Sequence, residues 1–258
     1  MESLLTIRDL TVTVHQDQGR KALLDHVSFD IPHLSIVGLV GGSGSGKTTT
    51  GLSILRLLPL GLKLEKGEIH FNGENLLQAS EDKLRQIRGK DIGMVFQEPL
   101  EALNPVLNIG CQVNEVLQFH TILNSHQRRE RVLELLNLVG LTEPQRVIED
   151  YPHRLSGGMR QRVMIAQAIA ANPQLIIADE PTSNLDVTLQ AKIMELFRRL
   201  KEELKLSILL ISHDLGMISH LADHIVVMSE GKVVEQGLTK QILENPKHEY
   251  TQRLLALI

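Results

Sequence analysis

Tryptophan is absent from this 258-residue chain, and five Phe with two Tyr hold aromatics to 3% of residues. So few rings leave few platforms on which the bases of a single strand can stack. There is one cysteine, Cys111. It excludes a disulfide framework and any zinc or iron–sulfur site built from this chain's cysteines, and it fits a reducing compartment. Neither charge sign is in large excess: 27 Lys and Arg against 31 Asp and Glu give −4, which argues against a broad electrostatic surface for nucleic acid. Long hydrophobic runs are missing as well. The most apolar stretches, 35–40, 175–178 and 206–211, fall far short of the ~20 residues of a membrane-spanning helix. The start, MESLLTIRDL, has an acidic second residue and no basic region before an apolar run, so it does not read as a secretory signal. Any work at a membrane then needs other chains to supply the span. With 42% hydrophobic residues there is material for a sizeable core. The expectation is a soluble, cytosolic globular protein.

Residues 4–14 (LLTIRDLTVTV) and 68–71 (EIHF) read as strands, the second closed by the turn pair Asn72-Gly73. They predict a small antiparallel layer near the N-terminus. Short apolar strands recur as SIVGLV (35–40), LIIA (175–178) and SILLIS (207–212), each followed by a loop and a helical pattern. That order indicates a parallel sheet covered by helices. Residues 110–141 carry helical spacing, with Val132, Leu135, Leu136 and Val139 on one face. The stretch 189–205 is an amphipathic helix expected to bury Ile193, Leu196, Phe197, Leu200 and Leu204. There is no internal repeat and no linker, so the assignment is one α/β chain with an inserted helical subdomain.

Gly41, Gly42, Ser43, Gly44, Ser45, Gly46, Lys47 and Thr48 match G-x-x-x-x-G-K-[ST], between the strand SIVGLV and a helical pattern that continues through Thr49. Glycines let the backbone curl until successive N–H groups form an anion nest, and a helix N-terminus adds positive potential. Lys47 is expected to reach the β- and γ-phosphates, and the Thr48 hydroxyl to ligate Mg²⁺. A chance Gly-rich turn is the bland alternative; a random chain of this size meets the pattern on the order of once in a hundred.

The strand 175–178 ends in Asp179-Glu180. An Asp there holds Mg²⁺ in P-loop enzymes, and Glu180 is placed to polarise an attacking water. Alone the pair is only a common dipeptide at an exposed strand end. Pro181 then turns the chain into a loop carrying Asn184-Leu185-Asp186. LSGGMRQR (155–162) begins another helix, with Ser156 as N-cap and Gly157-Gly158 leaving N–H groups accessible for phosphate. Taken alone, that segment is more simply a structural cap.

Together, the phosphate loop, Gln97, LSGGMRQR, LIIADEP (175–181), SNLD (183–186) and His213 in ISHD resemble the ABC-transporter ATP-binding subunit, over essentially the whole chain. The resemblance implies a P-loop NTPase (RecA-like) parallel-sheet core at about 1–96 and 163–235. It adds an N-terminal antiparallel β layer, a helical subdomain at about 97–162 and a C-terminal helical tail at about 236–258. It also implies roles. Gln97 would sense Mg²⁺ and the nucleophilic water, and His213 would clamp the γ-phosphate beside Glu180. Ser156, Gly157 and Gly158 would meet the γ-phosphate of ATP held by a second, facing ATP-binding subunit, with Asp186 bridging the two. ATP and Mg²⁺ are the implied cofactors. Implied partners are membrane permease subunits, a sister or identical ATPase in a head-to-tail dimer, and indirectly an external substrate-binding protein, at the cytoplasmic face of the inner membrane.

A narrower set looks like the oligopeptide/dipeptide/nickel importer class: Gln97-Glu98-Pro99, Leu103-Asn104-Pro105, Ile109-Gly110, Gln112, Tyr151-Pro152-His153, Asn245-Pro246, His248, Tyr250 and Thr251. Chain length sets nickel or metal-chelate import beside peptide import as the expected cargo. Two readings from other classes remain beside it: a soluble ABC ATPase of repair or translation, and a P-loop small-molecule kinase, which has no need of LSGG. Three features depart from the family. Pro32-His33-Leu34-Ser35 replaces a Gly-Glu turn, and Asn184 replaces a small residue. The segment 14–21 offers Val14 and His15 but no ring of the Phe, Tyr or Trp kind to stack on adenine, while Phe29 reads as core. Phosphate contacts are therefore expected to carry most nucleotide affinity, with modest discrimination between ATP and GTP.

Overall fold

The two strands that open the chain, β1 (Ser3–Gln16) and β2 (Gly19–Pro32), pair antiparallel. The computed structural model describes residues 3–16 and 19–256. Ile7, Leu10 and Val12 of β1 are fully buried with Leu24, Val27 and Ile31 of β2. Strict alternation would send Leu10, three residues on, to the face opposite Ile7. A register shift between Ile7 and Leu10, with Asp9 at φ 48°, returns it to the core. Phe29 is 1% exposed, so its core reading holds.

The next strand, β3 (Ile36–Val40), is apolar apart from Gly38 and buried throughout, as a strand covered on both faces must be. It is entered through Leu34 at φ 54°, a left-handed position where glycine is the easier residue. Helix α1 (Lys47–Ile54) follows the phosphate loop. Strand β4 (Leu62–Phe71) pairs with β1, and Asn72 (φ 49°) and Gly73 (φ 81°) turn it into β5 (Glu74–Asn75). The predicted Asn-Gly turn is thus present. Helix α2 spans Glu81–Ile87.

The chain divides into two compact units: the described residues up to Leu84 with those from Ser207 onward, and Arg85–Leu206. The second unit starts with β6 (Ile92–Val95). Helices α3 (Pro99–Ala102), α4 (Ile109–His120), α5 (Ser125–Leu138) and α6 (Pro144–Val147) follow, then a 3-10 turn, Pro152–Arg154, and α7 (Gly157–Ile169). Asn108 caps α4, and Asn124 with Gln127 forms a reciprocal capping box on α5. The predicted apolar face of α5 is buried at Val132, Leu135 and Leu136. Strand β7 (Leu175–Asp179) pairs parallel with β6, and α7 lies so close to β6 that a Cβ on Gly93 would meet Ala168 O at 2.1 Å. Helix α8 (Val187–Leu204) buries Ile193, Leu196, Phe197 and Leu200 as expected. Leu204, at its end, is only half-buried.

The chain then returns to the first unit with β8 (Ser207–Ser212), α9 (Leu215–Ser219), β9 (His224–Ser229), β10 (Lys232–Leu238), α10 (Thr239–Glu244) and α11 (Glu249–Leu255). Here β3 runs between β8 and β9, parallel to both, and β10 pairs antiparallel with β9. This mixed sheet and the antiparallel layer give the first unit its two β components.

Candidate functional site

In the first unit the phosphate loop curls under tight steric constraint. A Cβ on Gly41 would stand 2.2 Å from Met228 O, and one on Gly46 (φ 101°) 2.6 Å from Leu24 Cδ2. Gly46 begins α1 without a side-chain cap, so the first-turn amides are presented to whatever the loop encloses. Lys47 is 6% exposed and its Nζ donates to Gly41 O (2.8 Å) and Gly42 O (3.0 Å). Ser45 Oγ is buried with no hydrogen-bond partner. A cavity of about 190 Å³ is lined by Leu23, Gly44, Ser45, Gly46, Lys47 and Thr48. Leu23 was not legible as a site residue, because it arrives from β2.

His213 belongs to the same unit. The parallel register sets Val40 opposite Ser212, so the loop and His213 leave neighbouring strands at the same level. Asp214 N donates to Ser212 Oγ (3.0 Å), and Asp214 accepts from Met217 N (2.9 Å) to cap α9. These two bonds fix the backbone on either side of an exposed His213.

The second unit repeats that arrangement. Val95 pairs with Ala178, so Gln97 and Asp179-Glu180 emerge from adjacent strand ends. Asp179 is 3% exposed. Glu180 has φ 44°, a left-handed conformation that costs a non-glycine residue of order 1 kcal/mol. Ser183 N donates to Glu180 O (3.1 Å) and Leu185 N to Thr182 O (3.2 Å), winding the loop that ends at Asp186. Asp186 Oδ1 accepts from Leu189 N (2.9 Å) and caps α8. Ser156 caps α7 by accepting from Met159 N (3.3 Å). Gly158 is required by packing, since a Cβ there would meet Leu189 Cδ2 at 2.4 Å, whereas Gly157 has room.

Within this unit Gln97, Glu98, Gly157, Arg160, Gln161 and Asn184 line one cavity of about 210 Å³. Asn184 Nδ2 donates to Glu98 Oε1 at 2.6 Å. Sequence reasoning missed this pairing, because nothing local signals a bond between residues 86 positions apart. Gln161 is 2% exposed with Nε2 unpartnered. Other motif residues prove structural. Gln112, 4% exposed, donates to Asn104 O (3.0 Å) and Leu107 O (2.9 Å) and accepts from Asn104 N (2.8 Å). Gly110 lets α4 meet Ile148, whose Cγ1 would lie 2.3 Å from a Cβ. Tyr151 and His153 stack at 5.7 Å.

Comparison with known proteins decides the family. The family model described as "ABC transporter" matches residues 24–183, more than half of the chain. The chain belongs to the ABC transporter family. It is an ATPase of that family, as the match, relatives named as ATP-binding proteins and a neighbour bound to ADP and Pi together support. It is 48% identical over 256 residues to the peptidoglycan transport ATP-binding protein YejF of Agrobacterium fabrum, covering 99% of this chain and 47% of that protein. It is 48% identical to a putative peptide import ATP-binding protein of Brucella abortus, with 99% and 77% covered. It is 43% identical to the oligopeptide transport ATP-binding protein OppD of Bacillus subtilis, with 98% and 71% covered. The chain thus spans about half of YejF and about three quarters of the other two. Among solved structures it resembles the dimeric ATP-binding cassette MJ0796 bound to ADP and Pi, with a TM-score of 0.82 and 32% identity over 91% of this chain and 98% of that one. It also resembles cbiO1 of Clostridium perfringens, part of the ABC transporter complex cbiONQ, with a TM-score of 0.80 and 26% identity over 100% and 96%.

The residues of the cassette fit ATP with Mg²⁺. The unpartnered Ser45 Oγ, the uncapped start of α1 and the open space at Gly44 form an acceptor-seeking cradle of the kind an anion fills. Mg²⁺ takes one or two side-chain oxygens with phosphate and water, and the Thr48 hydroxyl beside the cradle is an oxygen of that class. Among the described residues no helix is long and apolar enough to cross a membrane. His15, considered for adenine, has its side chain outside the described residues. Val14 is half-buried in β1.

Proposed function

We propose that this ATPase is the motor subunit of a membrane importer for peptides, working through a separate permease at the cytoplasmic face of the inner membrane. The observation that most supports a hydrolytic site is the register of Val40 with Ser212. It brings the phosphate cradle and His213 to neighbouring strand ends, so that one phosphate group can meet Lys47 and His213 together.

The amides of the loop from Gly41 to Thr49 and the Lys47 ammonium hold the β- and γ-phosphates. Thr48, Asp179 and Gln97 would hold Mg²⁺, which when bound neutralises charge on the phosphate oxygens. Glu180 takes a proton from the attacking water as the water oxygen bonds to the γ-phosphorus. The bond from that phosphorus to the bridging oxygen breaks, and ADP leaves with the electron pair. His213 donates to a γ-phosphate oxygen. A loose phosphoryl transition state needs positioning and charge neutralisation more than covalent chemistry, and these side chains supply both. Ser156, Gly157 and Gly158, at the start of α7, complete the site of a facing subunit, and Asp186 bridges the pair. That partner is a second copy or a sister ATPase.

The peptide assignment is supported by relatives named for peptide, oligopeptide and peptidoglycan transport. None of those three is named for nickel, which the sequence had set beside peptide. Glu180→Gln tests the catalytic reading. The variant is expected to bind ATP, hydrolyse it at least about 100-fold more slowly and accumulate as a dimer in light scattering. Turnover near the wild-type rate would remove Glu180 from the base role.

A further inference from the structure

The C-terminal motif of Asn245, Pro246, His248, Tyr250 and Thr251 has no part in the roles above, yet its contacts lead to the phosphate loop. Glu235 on β10 accepts from Lys247 N (2.8 Å) and His248 N (3.0 Å). Burial opposes charge on this carboxyl, but the Thr251 hydroxyl close by and these two backbone bonds outweigh it and hold Glu235 below the ordinary carboxylate range. His248 Nδ1 accepts from Tyr250 N (3.1 Å) and so starts α11. Gln252 Nε2 closes the turn on Pro246 O (3.1 Å), and Thr251 is fully buried. The segment is thereby fixed at both ends, and it delivers the Tyr250 hydroxyl to the Gly42 amide, which donates to it at 2.8 Å.

A tyrosine hydroxyl that finds some partner is ordinary. The identity of this partner is what matters. Gly42 is the residue whose carbonyl accepts from Lys47 Nζ (3.0 Å) and from Ser45 N (3.2 Å). Its N–H is a further anchor of the loop, beside Gly231 N, which donates to Ser45 O (3.1 Å). When Lys47 turns toward a phosphate, its hold on the Gly41 and Gly42 carbonyls is given up, and the Tyr250 bond still fixes the bend. There is no slack in the contact, because a Cβ on Gly42 would stand 3.1 Å from the same hydroxyl.

We propose that Tyr250 is a positioning residue for the phosphate loop, and that 245–251 is a strap through which the C-terminal segment sets nucleotide affinity. The inference rests on the nucleotide-binding reading proposed above. Its consequence is that the loop's amides converge on phosphate only partly by their own sequence. The remaining constraint comes from a helix some two hundred residues away in the chain, on the order of the 208-residue separation of the bonded pair.

The test compares wild type, Tyr250→Phe and Glu235→Ala in the full chain. The Phe variant keeps the ring and removes only the hydroxyl; the Ala variant loosens the strap from its far end. Dissociation constants for fluorescent derivatives of ADP and GDP are measured with ATPase KM and kcat and the thermal midpoint. Tyr250→Phe is expected to weaken both nucleotides by about three- to tenfold, the scale of one hydrogen bond. The loss should be equal for the two bases, because the loop holds phosphates. KM is expected to rise while kcat stays near wild type, and Glu235→Ala to shift affinity in the same direction. Unchanged or tighter binding overturns the inference, as does a loss confined to ADP or a fall in kcat at unchanged KM. A wild-type protein that binds neither nucleotide overturns the underlying reading instead, before any variant is compared.

Discussion

Gln112 joins Asn104 and Leu107 through three bonds from one buried amide. Its spacing with Leu103-Asn104-Pro105 belongs to the importer-class motif, and its physical work is to staple a loop. Replacing it by Leu keeps the volume and strands three backbone groups. Gln112→Leu is expected to cost about 2–3 kcal/mol in urea unfolding, with hydrolysis per folded molecule little changed. A variant as stable as wild type would show that the loop satisfies itself. The candidate phosphate loop stands out in the sequence because its chemistry is contiguous: residues 41–48 carry glycines, a cation and a hydroxyl in one run. The Asn184–Glu98 and Tyr250–Gly42 bonds were not legible, since each joins residues far apart that carry no mutual signature. Asn184 read only as a departure from a small residue, and its partner Glu98 appears only once both loops are folded.

Strands with every residue buried were the easiest elements to place. The stretch 207–212 is β8 residue for residue, and 35–40 contains β3. The hairpin of β9 and β10 was missed, because β10 reads KVVEQGL and is mostly half-exposed. Helix 189–205 was placed to within two residues of α8, and of the five residues expected to be buried Leu204 alone lies half-exposed, where the helix ends at Lys205 in the left-handed conformation. The end of α4 carries a pH dependence. His120 has its pKa lowered chiefly by burial and then by Lys90, with Asp91 opposing. A cation at a helix C-terminus is ordinarily favoured, and burial prevails here. Because the folded state resists protonation, the unfolded state binds more protons just below the ordinary histidine value of 6.5. Stability therefore falls as pH drops through about 6.5 toward the lowered folded value. His120→Gln should flatten that part of the thermal-midpoint profile; an unaltered slope would assign it to other groups.

At the level of the whole molecule, two compact units each place candidate site residues at the ends of paired parallel strands. One carries the phosphate loop and His213, the other Gln97, Asp179, Glu180 and the LSGG helix. The family and its ATPase activity were readable from these motifs in order, and the comparisons agree. Cargo was not readable, because a motor subunit meets the permease and not the transported molecule. The named relatives turn the choice toward peptides. The most direct measurement is uptake by cells carrying either the wild-type gene or Glu180→Gln, supplied in parallel with a labelled dipeptide or tripeptide and with labelled Ni²⁺. The account predicts that peptide uptake is lost in the variant and nickel uptake is unchanged. Loss of nickel uptake with peptide uptake intact would contradict it.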